Sequence, residues 1–223
     1  MMTEKPDLTI DDMIDEAVDF CFEQSDLEHP AILGVTDGKA VGTYIEQLFQ
    51  HRLESKYSVE IGNSARGVDI PSADINTDIK TTSSKKPQSS TPYRTSRQKV
   101  FGLGHNILIF VYEKHDNGVT SRLEFKNCTF IPSDRTADYT LTKQINELKA
   151  RGTTFEEVRD LLVRKGIPGG DAILDTLTEQ VLDSDVKQGY ITISNALQWR
   201  LDYGRVVNLH GTERAVFNYD FNG

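Results

Sequence analysis

Cysteine is scarce in this chain. Cys21 and Cys128 are its two cysteines, too few and too far apart for a zinc pattern or a disulfide framework. That usage suits a reducing compartment, so a cytoplasmic protein is expected. No stretch approaches the roughly 18 consecutive apolar residues of a membrane helix. The first residues are acidic, unlike a secretion or transit peptide. No glycine-rich phosphate loop occurs and no internal repeat, so neither a nucleotide cofactor nor a repeat architecture is expected. What is present is 223 residues with a 37% hydrophobic fraction, enough for a full core.

A second absence is local. From Ile79 to Tyr112 there is no Asp or Glu, although the whole chain carries a net charge of −9. The window instead holds Lys80, Lys85, Lys86, Arg94, Arg97 and Lys99, interleaved with Gln88, Ser89, Ser90 and Gln98. Cations contact phosphates, and Arg, Gln and Ser read base edges. A basic island in an acidic chain is a local property, so the overall charge does not argue against nucleic acid. Much of the negative charge lies before residue 29, where Lys5 is the lone cation. Apolar residues there recur at helical spacing, which predicts an amphipathic surface helix over 9–24, either a lid on the core or a dimerisation arm.

Just before the acid-free window stand Asp69 and the triplet Asp78-Ile79-Lys80. The segment 65–82 reads as a hairpin around the polar turn Ser72-Ala73-Asp74. On a strand, Asp78 and Lys80 face the same way, and Asp69 on the other arm can point there too. Two carboxylates and an ammonium at one point suit a divalent-metal phosphodiesterase. The triplet alone carries little weight, because an acid two residues before a lysine occurs six times in the chain. Glu124-Phe125-Lys126 is the one rival with strand character, and its upstream Asp116 is explained by the turn Asp116-Asn117-Gly118. Glu46, on a predicted helix over 38–57, is a further carboxylate able to approach the site.

The remaining pattern predicts an irregular stretch over 83–93, a short helix over 94–102, a buried central strand over 107–112 and a partner strand over 120–131. A helix over 138–151 follows. After Gly152 the texture changes. Thr153 or Thr154 caps a helix through Lys165, another helix starts at Asp171, and a strand or a helix is expected between 189 and 200. Strands are expected at Val206–Leu209 and Ala215–Tyr219. The division is therefore 1–150, a core with its acidic N-terminal helix, and 151–223, a mostly helical extension ending in a short hairpin. That extension resembles a winged helix, or else completes the core and a dimer.

A helix with Glu46, then Asp69, then Asp78-x-Lys80, then a buried apolar strand resembles the PD-(D/E)xK nuclease superfamily over residues 38–131. Chain length and the basic tract resemble its type II restriction endonucleases. One departure is that Val68 precedes the first acid, with the proline displaced to Pro71. The resemblance implies an α/β fold with a mixed central sheet flanked by helices. It implies Mg²⁺-dependent cleavage of double-stranded DNA at a short specific site, a homodimer and a companion methyltransferase. Asp69, Asp78 and the Ile79 carbonyl would ligate the metal, Lys80 would serve the attacking water, and Glu46 would assist. Lys85, Lys86, Gln88, Ser89, Ser90, Arg94, Arg97, Gln98 and Lys99 would contact DNA. A structure-specific repair or junction-resolving nuclease of the same fold, and a non-catalytic DNA-binding regulator, are the alternatives.

Overall fold

The structure is a computed structural model that describes residues 5–62, 67–194, 199–213 and 215–221. Its contacts sort the chain into two compact units. One comprises residues 1–87, 106–130 and 206–223, the other 88–105 and 131–205. The chain thus crosses between units after Pro87, His105, Phe130 and Arg205.

The first unit is a mixed sheet under two helices. Helix α1 (Ile10–Asp26) starts at a capping box in which Thr9 and Asp12 bond reciprocally, satisfying donors that a helix N-terminus leaves open. Helix α2 (Gly38–Lys56) is capped by the Asp37 side chain. Strand β1 (Thr77–Ser83) lies parallel to β3 (Asn106–Asp116), and β4 (Ser121–Ile131) follows β3. The chain passes from β3 into β4 through a short turn in which Asn117 Oδ1 accepts the N–H groups of Val119 and Thr120. The last strand, β7 (Phe217–Asp220), adds antiparallel to β4, so the sheet order is β1-β3-β4-β7.

Strand β3 is buried on both faces, as its near-continuous apolar run predicts. Leu108, Phe110 and Tyr112 join the core shared with α1 and α2. Phe20, Phe49, Phe110 and Phe125 pack there with ring centroids 5.1–6.0 Å apart, the tilted and edge-to-face spacing aromatic rings prefer. Met13, Ala17, Phe20 and Cys21 of α1 are buried, so the acidic helix is a lid on this core. Cys21 and Cys128 are free and buried, and they meet in the core, where burial and the Cys128 sulfur push the Cys21 thiol up.

The second unit holds a helical cluster and a small sheet. Helices α3 (Arg97–Phe101), α4 (Tyr139–Ala150), α5 (Phe155–Arg164) and α6 (Asp171–Asp183) bury Val100, Leu141, Ile145, Leu162 and Leu177 together. The Thr154–Glu157 capping box opens α5. Strand β2 (Gln88–Thr91) pairs antiparallel with β6 (Trp199–Asp202), and β6 with β5 (Thr192–Ile193), in the order β2-β6-β5.

Three local expectations change. Residues 88–91 form a strand despite Pro87 and Pro92, because both prolines flank the paired residues and cost the ladder no N–H. Val206 and Val207 lie in a short helix, α7 (Gly204–Val207), and not in a strand. Trp199 and Arg200 lie in β6, which excludes a helix reaching 200; residues 195–198 are outside the described residues. Strand β7, near the end of the terminal segment, belongs to the sheet of the first unit.

Candidate active site

The first arm of the expected hairpin is a loop. Ile70 and Thr77 form a single antiparallel bridge and exchange both main-chain bonds, at 2.9 and 3.0 Å. Between them the Ser72 carbonyl accepts from Ile75 and Asn76, and Asn76 turns through φ 35°. Pro71 lacks the N–H that a longer ladder would need. The Asp69 carbonyl instead accepts from Gly62 at 2.6 Å. A Cβ on Gly62 would stand 2.3 Å from the Val68 carbonyl oxygen, so only glycine permits this approach. Residues 65 and 66, the start of that arm, lie outside the described residues.

Strand β1 is an edge of its sheet, and this places the loop beside it. Main-chain groups alternate in direction along a strand. Thr77 spends both on Ile70, so Ile79, two residues on, presents its N–H and C=O to the same free edge. The Ile79 N–H donates to Asp69 Oδ2 at 2.7 Å. The Ile79 carbonyl therefore faces the side of the strand that Asp69 occupies. The Ile79 side chain is buried in the core under α2, while Asp78 and Lys80 project from the opposite face.

Asp78 Oδ2 and Lys80 Nζ are 2.6 Å apart, with side-chain exposures of 7% and 19%. Glu124–Lys126 and Asp185–Lys187 also form ion pairs, but Glu124 and Asp185 are exposed at 53% and 84%. Burial separates the Asp78 triplet from its rivals. Burial works against the Lys80 charge, yet Asp78, with Asp69 and Glu46 behind it, holds the ammonium above its ordinary range. Burial, then a hydrogen bond and the charge of Asp78, push the Asp69 carboxyl up to about 7; Ile79 N–H and Lys80 act in the other direction. Glu46 is also raised, chiefly by burial, with Lys80 opposing and Asp78 adding to the shift.

Helix α2 supplies a residue that sequence reading missed. Gln50 Nε2 donates to Asp69 Oδ1 at 3.3 Å. Gly42, Glu46 and Gln50 are spaced four apart and share one helix face. Gly42 lets that face close on β1, where its Cβ position is 3.6 Å from Thr81 Cβ. The spacing from Glu46 was the available signal.

The predicted DNA tract divides on inspection. Lys85 and Lys86 are exposed in the turn after β1. Gln88 and Ser90 are exposed on β2, while Ser89 turns inward and bonds the Tyr203 hydroxyl at 2.6 Å. Arg97 is exposed, its guanidinium 4.5 Å from the Phe101 ring centre. Arg94 is exposed but precedes α3, so it does not share a helix face with Arg97. Gln98 and Lys99 are buried. The Gln98 side chain accepts from the Arg94 and Thr95 amides, and burial lowers Lys99. The side chains of Ser89, Gln98 and Lys99 thus point into the unit.

Among the described residues, a group of three metal-capable side chains within 4.8 Å of one another is Glu113, His115 and Glu124. His115 and Glu124 are exposed and Glu113 is half-buried, and Glu124 already pairs with His115 and Lys126. Asp116 bonds Gly34, Lys114 and Ser121, which is a turn-holding role.

An edge strand carrying Asp-x-Lys beside a second acid, in a mixed sheet flanked by helices, is compatible with a nuclease of the restriction-endonuclease kind. A model of the family "Type II restriction enzyme NspV" matches residues 7–218. The type II restriction enzyme NspV of Nostoc sp. (strain ATCC 29411 / PCC 7524) is 40% identical over 211 residues, covering 94% of this chain and 95% of that relative. The chain belongs to the NspV family of type II restriction enzymes. It is a site-specific endonuclease whose substrate is double-stranded DNA, which decides against the regulator and the structure-specific nuclease. No solved structure matches the chain. No helix among the described residues is long and apolar enough to cross a membrane.

Proposed function

We propose that Asp69, Asp78, Lys80 and Glu46 form the catalytic centre and that the enzyme uses Mg²⁺. The observation that carries this reading is the Asp69–Asp78 pair beside the half-buried Lys80 ammonium. Two carboxylates in hydrogen-bond contact repel unless a proton or a cation lies between them. The donor set, two carboxylates and the Ile79 carbonyl, is all oxygen, as Mg²⁺ prefers. Those three groups would hold the ion. Bound there, it would supply a Lewis acid and lower the pKa of a bound water.

The protein's own groups do the rest. Lys80, kept charged by Asp78, orients the attacking water and offsets charge that builds on the scissile phosphate. Glu46 reaches the site from α2 as an outer ligand, and Gln50 holds the Asp69 carboxylate in place. Lys85, Lys86, Arg94 and Arg97 contact phosphates. A homodimer on a palindromic site matches the two-fold symmetry of such DNA. The cytoplasm is the expected location. Residues 151–223 serve recognition or dimerisation.

Asp78→Ala and Lys80→Ala test this. Each should abolish cleavage of unmethylated phage DNA in Mg²⁺ while metal-free DNA binding and the circular-dichroism spectrum persist. Full activity in Asp78→Ala would overturn the assignment and turn attention to Glu124 and Lys126.

A further inference from the structure

We infer that the outward face of the sheet β2-β6-β5 reads base edges of the target DNA, with Arg200 as its central reader. The register aligns side chains from distant parts of the chain. Ser90 pairs with Arg200, and Gln88 with Asp202, which pairs in turn with Thr192. Ser194 completes the other row, since its N–H donates to the Arg200 carbonyl at 3.0 Å. All six of these residues are exposed.

The opposite face is packed. Trp199, Leu201 and Tyr203 show no exposure, and Ser89 bonds Tyr203 beneath the sheet. This backing fixes the strands that carry the polar side chains, which is what a geometrically demanding site requires. Strands β2 and β6 align over four residue pairs, and β5 adds two more on the other side of β6, so the polar side chains stand on one small three-stranded surface.

The composition favours bases over phosphates. Phosphates accept from guanidinium, carboxamide and hydroxyl groups alike, but this face also carries a carboxylate, which a phosphate track would not. A carboxylate repels phosphate but accepts from the amino group of cytosine. The Asp202 carboxylate is held in place by the Gly204 N–H at 3.0 Å. Arg200 makes no ion pair among the described residues, and its fork suits the O6 and N7 acceptors of guanine. Arg205 differs, being stacked 3.4 Å over the Tyr139 ring. Arg214 lies outside the described residues.

The inference rests on the proposed DNA-facing tract, so the test separates the two. Digestion of unmethylated phage DNA and sequencing of the ends first define the wild-type site. Duplexes bearing that site and each single-base-pair variant are then cleaved by wild type, Arg200→Ala and Arg200→Lys. Lysine keeps the charge and loses the fork. Both substitutions should slow cleavage of the cognate duplex at least about tenfold and flatten discrimination at one or two base pairs. Full recovery in Arg200→Lys would make Arg200 a phosphate contact and overturn the proposal. Unchanged discrimination in both variants would overturn it as well. In that event a salt slope that still falls in Lys85→Ala and Lys86→Ala would leave the tract reading standing.

Discussion

Asp69 accepts the Ile79 N–H at 2.7 Å. A carboxylate on an irregular loop is thereby docked against the free edge of the strand that carries Asp78 and Lys80. This bond joins the two main-chain bonds of the Ile70–Thr77 bridge and the Gln50 contact from α2 in holding the loop to the strand edge.

The docked carboxylate has a pH signature. Asp69 is raised to about 7, against about 3.9 for an unperturbed Asp. Between those values the folded metal-free protein binds more protons than the unfolded chain, so its stability falls as pH rises through that window. Asp69→Asn should therefore raise the melting temperature of the metal-free protein at pH 8 by a few degrees and have little effect near pH 4. Added Ca²⁺ should raise the wild-type value at pH 8 and leave the variant unchanged. A variant less stable than wild type at pH 8 would contradict the shared-proton reading.

Glu46 and Gln50 occupy one face of α2, with Gln50 against Asp69 and Glu46 against Thr81, near Lys80 and Asp78. Groups that support metal ligands typically contribute 10–100-fold in affinity or activity. Glu46→Gln and Gln50→Leu should each lower cleavage about tenfold or more at limiting Mg²⁺, with part of the loss recovered at saturating Mg²⁺. A rate that is unchanged at limiting Mg²⁺ would make the residue an ordinary member of the helix surface.

Lys85 and Lys86 are exposed on the turn that leaves β1. If they bind phosphate, each alanine substitution weakens all DNA sequences about equally. It should also reduce the slope of log affinity against log salt by about one. Binding titrations from low to moderate salt measure this. An unchanged slope in both variants would move phosphate binding to another surface.

The acidic helix has its own pH dependence. Glu16 is buried and bonds Arg52 at 2.5 Å and Lys56 at 2.8 Å. Burial works against its charge, but the Lys56 and Arg52 bonds prevail and the carboxyl is lowered. A lowered carboxyl contributes stability that is present above its unfolded value, about 4.3, and lost as pH falls through the folded one. Glu16→Gln should melt several degrees below wild type at pH 7, and the gap should close at acid pH. Thermal unfolding across that range checks it, and a gap that widened on acidification would exclude the pair as its source.

Much of this protein is legible in its sequence, because the relevant signals are local. The apolar run 107–112 dictates a strand buried on both faces. The threonine before Glu156-Glu157 dictates a cap. Alternation alone puts Asp78 and Lys80 on one face, and the acid-free window marks the basic tract. Other features depend on which segments meet. Asp69 reaches β1 from a loop because an edge strand has free main-chain groups to offer, and edge position is a property of the finished sheet. Gln98 and Lys99 look like DNA contacts in one dimension, but α3 packs them inward. Ser90 and Arg200, 110 positions apart in the chain, become neighbours only through the register of β2 on β6. Side-chain chemistry is written residue by residue, whereas strand order and register follow from burying the whole core at once, and those determine which chemistries share a face.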